Sequence, residues 1–405
     1  MNYSKVSKVV VTGMGIISPV GNSVETFWQA LTSGYSGVSL IQNCILEDLK
    51  CRFAGQIHDF HTNSFIDKKN FRRMDRFCQF AVVAALKAWR DIAPSPVNAG
   101  VIFGTGIGGI SSWDNPLNPD CDPDINAFTI PRIMNNAAAS QIAIQLNLRG
   151  INLTINTACS SGANAIGMAF SKIRSANANC IICGGTEASI TPKILKAWEI
   201  LKVLSKDNSK NAVKPFDKNR TGFVLAEGAA ALVLESLDSA LENKRKIHAE
   251  IVGFGSNCDA HHLTSPSPTG QADAMNLAIK DAGIKPEDID YINAHGTATI
   301  LNDRVETNAI KDVFGNYAYG IPVSSTKSML GHAMGASSAM EIVATILSVK
   351  NSKIHPTLNL KNPDPECDLD YVPDKSRGKT VNHAISNSFG FGGSNAVLVI
   401  KKWKK

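Results

Sequence analysis

Short runs of consecutive apolar residues, most of them closed by glycine, alternate along this chain with longer stretches whose apolar positions recur at helical spacing. Residues 8–13 (KVVVTG) open the series as a β-branched run, followed by a polar turn and the helix-like VETFWQALTSG. Residues 75–90 (DRFCQFAVVAALKAWR) predict a helix with a broad apolar face through Phe80, Val83, Ala84 and Leu86. GVIFGTGIGG at 100–109 predicts a buried strand running into glycines. SSWDNPLNPDCDPDINAF predicts a long loop, and RIMNNAAASQIAIQL a helix. NLTINTA, CSSGANAIGMAFSKIRS and NCIICGG then read as strand, helix and strand. Strands that are apolar throughout belong to sheets covered on both faces, so the rhythm predicts an α/β fold.

The second part of the chain repeats the plan. HAEIVGFGS (248–256) reads as a strand, GQADAMNLAIKDAGI as a helix and IDYINAHGT as a strand ending in His-Gly. IPVSST (321–326) is another strand, MLGHAMGASSAMEIVATILSVK a glycine-interrupted helix, and VNHAISNS with NAVLVIK a last strand pair around FGFGG. INTACSSGANAIGMAFSKI aligns with VSSTKSMLGHAMGASSAMEIVATIL, and GVIFGTGIGG with AISNSFGFGG, which suggests a duplication. Two similar halves are expected, residues 1–245 and 246–405, with equivalent strand ends facing one cleft.

Composition narrows the class. With 405 residues, 44% hydrophobic and 19% charged, the chain has ample material for a large core. No run reaches the ~20 apolar residues of a membrane span, and the start lacks the apolar core and cleavage site of a secretion signal, so a cytoplasmic protein is expected. Nine cysteines make no disulfide scaffold, and the close pair Cys180 and Cys183 lies in a buried-strand pattern with no second CxxC to complete a zinc site. The formal charge of +6 is concentrated in KKNFRRMDR (68–76) and the tail KKWKK. Neither carries a nucleic-acid-binding signature, and the first is better suited to docking an acidic protein.

Cys159 stands where a strand ends and a small-residue helix begins, in TACSSG. Unpaired backbone N–H groups there are expected to favour the thiolate and lower its pKa. His295 in NAHGT and His332 in LGHAMG, with Lys327 five residues before the latter, accompany it. Metal binding is the weaker reading, since no HxxxH pair or third carboxylate ligand is arranged around the histidines. GTGIGG at 104–109 has the glycine spacing of a dinucleotide loop but runs into SSWDNPLNP instead of a helix, so Ile107 is read as a pocket contact.

TACSSG around Cys159, NAHGTATILND around His295, STKSMLGHAMG around Lys327 and His332, and the terminal NSFGFGG together resemble the β-ketoacyl-acyl-carrier-protein synthases of the thiolase-like superfamily. The likeness runs from VVVTGMGIISPVG to NAVLVI, and His332 stands where initiating synthases carry asparagine. The resemblance implies the thiolase-like duplicated fold, layered α-β-α-β-α, with a mixed five-stranded sheet in each half. It implies that Cys159 accepts an acyl chain, that His295 and His332 stabilise the enolate formed when malonyl-carrier protein loses carbon dioxide, and that Lys327 orients the loop of His332 while pairing with Asp303 or Glu306. Phe391, with Phe389 and Gly392 beside it, matches the oxyanion and gating loop. Thr297, Thr299, Thr264 and Ser265 match the pantetheine channel, and Lys69, Arg72 and Arg73 the carrier-protein docking face. Asn293, Glu341, Ser386 and Asn387 match a buried cluster that holds a monovalent cation in some relatives, although a satisfied polar network would look identical.

No cofactor of its own is implied, because phosphopantetheine arrives on the acyl carrier protein. Ala298 replaces a commonly seen small hydroxyl, and Ile300, Leu301 and Asn302 replace a proline-containing turn. The same motifs serve fatty-acid elongation and the ketosynthase subunit of dissociated polyketide systems. The expected assembly is accordingly a homodimer, or a heterodimer with a cysteine-less sister, with NLTINTA near the interface and residues 125–140 reaching the neighbour's acyl pocket. A degradative thiolase would need a second cysteine near the C-terminus, where the last one here is Cys367.

Overall fold

In the computed structural model, residues 7–42, 49–58, 60, 66, 68–90, 92, 96–114 and 127–404 are described. Most of the long loop expected at 111–128, and residues 125 and 126 of the expected acyl-pocket segment, lie outside them. The first set of strands is β1 (Val9–Ile17), β2 (Gly100–Gly104), β3 (Asn152–Ile155), β4 (Cys180–Glu187) and β5 (Gly228–Ser236). The second is β6 (Ala249–Cys258), β7 (Tyr291–Asn293), β8 (Val323–Ser324), β9 (His383–Gly390) and β10 (Ser394–Lys401).

Among the described residues these ten strands form one sheet in the order β8-β7-β9-β10-β6-β1-β5-β4-β2-β3. Counted outward from the centre, each set runs first, fifth, fourth, second, third. The first two pairings are antiparallel and the last two parallel in both sets. The sets join through a short antiparallel contact between Val9–Val11 of β1 and Ala249–Ile251 of β6. Two five-stranded mixed sheets with identical topology, meeting edge to edge, are the duplicated α/β plan.

A residue-level signature repeats with the topology. The first strand of each set carries a Gly-x-Gly, and the helix that follows lies directly on it: α1 (Arg76–Trp89) on β1 and α4 (Pro268–Ala282) on β6. A Cβ on Gly13 or Gly15 would fall 2.1 Å from Ala88 O or 2.0 Å from Ala84 O, and one on Gly253 or Gly255 would fall 2.3 Å from Ala278 O or 2.2 Å from Ala274 O. Only glycine permits such backbone contact.

One expected equivalence is corrected. GVIFGTGIGG is β2 and AISNSFGFGG is β9, the second and fourth strands of their sets, so they are not counterparts. β2 corresponds to Tyr291–Asn293, and β9 to Cys180–Glu187. The shared glycines had aligned two different strands that end near the same cleft.

The layers follow from where apolar faces go. Helices α3 (Ser161–Arg174) and α6 (Met334–Asn351) each pack against strands of both sets, and α6 is buried at every position from Met334 to Val349. Helices α1 and α2 (Ala137–Leu146) cover the outer face of the first sheet; α4 and α5 (Ile300–Phe314) lie outside the second. One hydrophobic cluster fills the space between sheets and one lies under each outer helix pair, giving the α-β-α-β-α stack. Among the described residues, no helix is long and apolar enough to cross a membrane.

Candidate active site

The loops that follow β3, β7, β8 and β9 converge on one cleft, the place where ligands sit in α/β sheets. Cys159 lies in a single 3-10 turn, Ala158–Ser160, between β3 and α3. Ala158 is forced to φ +51°, a left-handed conformation that an L-residue adopts at a cost, and the sharp reversal aims the thiol at the cleft. The side chain of Ser161 pins the turn, accepting from Thr157 N at 2.9 Å and donating to Ala158 O at 2.6 Å.

His332 occupies the break in the glycine-interrupted helix. Gly331, at φ +78°, ends the short helix Lys327–Leu330, and α6 begins two residues after His332. Its backbone is clamped by Val224 O and Ala226 N, each at 2.9 Å. This places Nε2 3.2 Å from Cys159 Sγ, while Nδ1 lies 3.0 Å from Ser337 Oγ. His295 follows β7, its ring centroid 5.6 Å from that of His332 and nearly perpendicular at 84°. The carboxylate of Glu306, on α5, accepts the N–H groups of His295 and Gly296, both at 2.8 Å.

Lys327 is buried, and its ammonium has three partners: Nδ1 of His295 at 3.3 Å, O of His295 at 2.6 Å, and Oε1 of Glu341 at 2.5 Å. Two expectations are thereby corrected. Lys327 holds His295 rather than the loop of His332, and its anion is Glu341 of α6, not Asp303 or Glu306. The reason is that both acids of α5 are already engaged. Glu306 binds backbone, and Asp303 accepts from Phe216 N at 2.8 Å beside the Arg220 guanidinium at 3.5 Å.

Burial dominates the electrostatics. It drives both histidines well below the ordinary imidazole range, with the Lys327 charge adding to the effect. Burial also pushes the Cys159 thiol up to about 11, against the opposing influences of Lys327 and the Phe391 N–H. The sequence-based expectation of a lowered thiol pKa is therefore reversed: at rest the thiol is protonated, donating to Met334 Sδ at 3.9 Å. Glu341 is raised to about 7, again by burial, partly offset by Lys327.

Thr264, Ser265, Thr297, Thr299, Phe389 and Phe391 line the same cleft as Cys159 and both histidines. Thr297 and Thr299 share a hydroxyl contact of 2.9 Å, and Thr299 caps α5 at the start of the unusual Ile300-Leu301-Asn302 stretch. Phe389 stands edge-on to His295 at 5.8 Å. Phe391, half-buried, meets the Trp198 ring at 5.8 Å. Gly392 (φ +80°) and Gly393 (φ +74°) form the turn after it, tied by Gly392 N to Leu263 O at 2.7 Å. Ile107 is not in the cleft lining; its N–H donates to Glu187 Oε1 at 3.2 Å.

Glu187, Trp198 and Leu263 were not singled out from the sequence. Glu187 is fully buried and also accepts from Gly106 and Gly335, joining the loop after β2 to the start of α6. An acid closing the apolar strand CIICGGTE was the available signal.

Asn293, Ser386 and Glu341 do come together, with Ser386 paired to Asn293 across β9 and β7 and Asn293 Nδ2 donating to Glu341 O at 3.4 Å, but Asn387 turns to the other face of the sheet, where its Nδ2 donates to Glu306 Oε1 at 3.2 Å. Oδ1 of Asn293, Oε2 of Glu341, Oγ of Ser386 and Oδ1 of Asn387 are buried without a hydrogen-bond partner among the described residues. The oxygens of Asn293, Glu341 and Ser386, one of them from a carboxylate, are a donor set that fits a hard monovalent cation. Sγ of Cys159 and the histidine nitrogens also lie within 4.8 Å of one another, but the Lys327 ammonium on His295 opposes a metal ion there. Cys180 and Cys183 are buried free thiols in β4. Lys69 and Arg72 are exposed and lie apart from the cleft lining, and Arg73 stacks over Phe128 at 4.5 Å.

Residues 6–240 match the family model described as the beta-ketoacyl synthase N-terminal domain, and residues 248–361 the corresponding C-terminal domain. The chain is 47% identical over 409 residues to a 3-oxoacyl-[acyl-carrier-protein] synthase 2 of Synechocystis sp., covering 98% of each chain. Among solved structures it is similar to the ishigamide ketosynthase/chain length factor, with TM-score 0.91 and 36% identity over 98% of this chain and 100% of that one. It is also similar to a type II PKS acyl-carrier protein complex with its ketosynthase bound to the hexaketide, with TM-score 0.88, 33% identity and the same coverage. Taken with two topologically identical half-sheets and a cysteine facing two histidines across one cleft, these matches show that the chain belongs to the β-ketoacyl synthase family.

Proposed function

We propose that this chain is a β-ketoacyl-[acyl-carrier-protein] synthase that lengthens an acyl chain by decarboxylating condensation. The observation that carries the reading is the approach of His332 Nε2 to Cys159 Sγ at 3.2 Å, with His295 set against the same cleft.

Cys159 Sγ attacks the thioester carbonyl of an acyl-carrier protein, whose oxygen is received by the N–H groups of Cys159 and Phe391. The bond to the pantetheine sulfur breaks, and the leaving thiolate takes the proton that Cys159 gives up. Malonyl-carrier protein then binds in its place. Its carbon–carboxylate bond breaks, carbon dioxide leaves, and the electron pair becomes an enolate. The oxygen of that enolate takes N–H bonds from His295 and His332. Lys327 has only protons to offer, so Nδ1 of His295 is its acceptor and the His295 proton sits on Nε2. A donor aimed at charge that appears only in the transition state is typically worth about 3 kcal/mol. The enolate carbon finally attacks the acyl-cysteine, the bond to Sγ breaks, and the Cys159 thiolate is reprotonated.

In this reading Thr264, Ser265, Thr297 and Thr299 hold the pantetheine arm, Phe391 gates the thiol, and Lys69, Arg72 and Arg73 receive the acidic carrier protein. A monovalent cation, if bound by Asn293, Glu341 and Ser386, would supply fixed positive charge behind Lys327. The division into halves at about residue 245 belongs to the same reading, supported by the repeated strand order. Fatty-acid elongation is favoured over polyketide extension, because identity is 47% to the synthase of Synechocystis against 36% and 33% to the two polyketide-type structures. A homodimer through β3 is supported by that strand's place at the end of the sheet and by half-exposed Ile151 and Leu153 beside it. The test is condensation of purified protein with malonyl-carrier protein and a panel of saturated acyl-carrier proteins. A 3-ketoacyl product two carbons longer, formed without a second subunit, supports the elongating homodimer; activity only with a cysteine-less partner supports the polyketide alternative.

A further inference from the structure

The small-residue stretch GASSA at the start of α6 does more than let helices approach. Both of its serines make buried contacts with the segments that carry the reacting groups. Ser338 Oγ accepts the Ala163 N–H at 2.9 Å, docking the first turn of α3 onto α6 and so tying the helix behind Cys159 to the helix behind His332. Ser337 Oγ accepts the Ala333 N–H at 2.8 Å and lies 3.0 Å from Nδ1 of His332.

A serine hydroxyl has one proton to give. One of its oxygen's two lone pairs takes the Ala333 N–H, and among the described residues the acceptor in hydrogen-bond range of its proton is Nδ1 of His332. We infer that Ser337 is a positioning residue that fixes the tautomer of His332: its hydroxyl donates to Nδ1, which leaves the imidazole proton on Nε2, pointing at Cys159 Sγ 3.2 Å away. The two histidines thus reach the same donor state by different means, His295 through the Lys327 ammonium and His332 through a neutral hydroxyl. A hydroxyl does this without adding charge beside the thiol. In the opposite tautomer, Nε2 would offer a lone pair to the site, turning an enolate-stabilising donor into a base for the thiol.

This inference rests on the proposed decarboxylating role of His332, and the two are separable by experiment. Histidine side-chain nitrogen NMR of the whole protein reads the tautomer without any turnover. Ser337→Ala should shift His332 from the Nε2–H form to a mixture or to Nδ1–H. In parallel, carbon dioxide release from malonyl-carrier protein should fall roughly tenfold to a hundredfold, the range typical when a partner orienting a functional histidine is lost. Alkylation of Cys159 by iodoacetamide should be kept or increased. Ser337→Thr retains the hydroxyl and should restore the wild-type nitrogen signals and most of the decarboxylation. A wild-type His332 in the Nδ1–H form, unchanged nitrogen signals in Ser337→Ala, or equal loss of decarboxylation and alkylation in that variant would each overturn the assignment. Wild-type protein that shows the Nε2–H form but releases no carbon dioxide would instead strike at the proposed reaction and leave the tautomer assignment standing.

Discussion

Lys327 Nζ lies 3.3 Å from Nδ1 of His295 and 2.6 Å from the carbonyl oxygen of the same residue, so one buried ammonium fixes both the ring and the backbone of a histidine facing the cleft. Its charge also disfavours protonation of that ring. Lys327→Ala should therefore raise the His295 titration midpoint, although not to the ordinary value, since burial is the larger cause of its depression. Decarboxylation should fall at the same time, because nothing then holds the proton on Nε2. Histidine NMR titration checks the first point; an unmoved midpoint would show that Lys327 does not act on His295.

The turn after Phe391 depends on backbone freedom rather than space. A Cβ at Gly392 would meet nothing within 4 Å, yet the residue sits at φ +80°. Gly392→Ala should cost about 1–2 kcal/mol of strain in this conformation and slow acyl loading of Cys159, with little change in the rest of the fold. Denaturant midpoints and single-turnover acylation measure the two effects.

Charge reversal at Arg72 and Lys69, both exposed, should raise KM for carrier-bound substrate several-fold and flatten its dependence on salt. Reactivity of Cys159 toward iodoacetamide should be unchanged. Equal KM values at low salt would remove this face from the docking account.

The end strand β3 has one paired edge, toward β2. Leu153→Lys should weaken self-association, and sedimentation of the variant should show monomer at concentrations where the parent is dimeric. A parent that sediments as an active monomer would refute the proposed dimer.

Much of this architecture was legible because buried parallel strands read as unbroken apolar runs, as in GVIFG and CIICGG. β5 was not, because GAAALVLES carries three alanines, the strongest helix formers, and its strand state is imposed by burial at every position between neighbours. α5 was missed for the opposite reason: ILNDRVETNAIKDVF is polar enough to pass for a loop, and its inward Asp303 and Glu306 take their shortest hydrogen bonds from Phe216, His295 and Gly296, outside the helix. At the site, Cys159, His295, His332 and Lys327 were each marked by a local motif. The partner of Lys327 was not, since Glu341 and the α5 acids are equivalent as letters and differ only in what already binds them. The thiol pKa failed for a related cause: the helix start is visible in TACSSG, but the burial that outweighs it belongs to the tertiary fold.

In the proposed reaction Cys159 carries the growing chain and the histidines drive carbon dioxide loss. Intact-protein mass measurement with parallel carbon dioxide detection tests it directly. With acyl-carrier protein, the chain should gain one acyl group at Cys159, and malonyl-carrier protein should discharge it to 3-ketoacyl product with one carbon dioxide released. Cys159→Ala should lose the adduct and the product while retaining some decarboxylation. His295→Ala and His332→Ala should keep the adduct but lose decarboxylation by about 10²–10³-fold. An adduct on another residue, or undiminished carbon dioxide release in both histidine variants, would contradict the account.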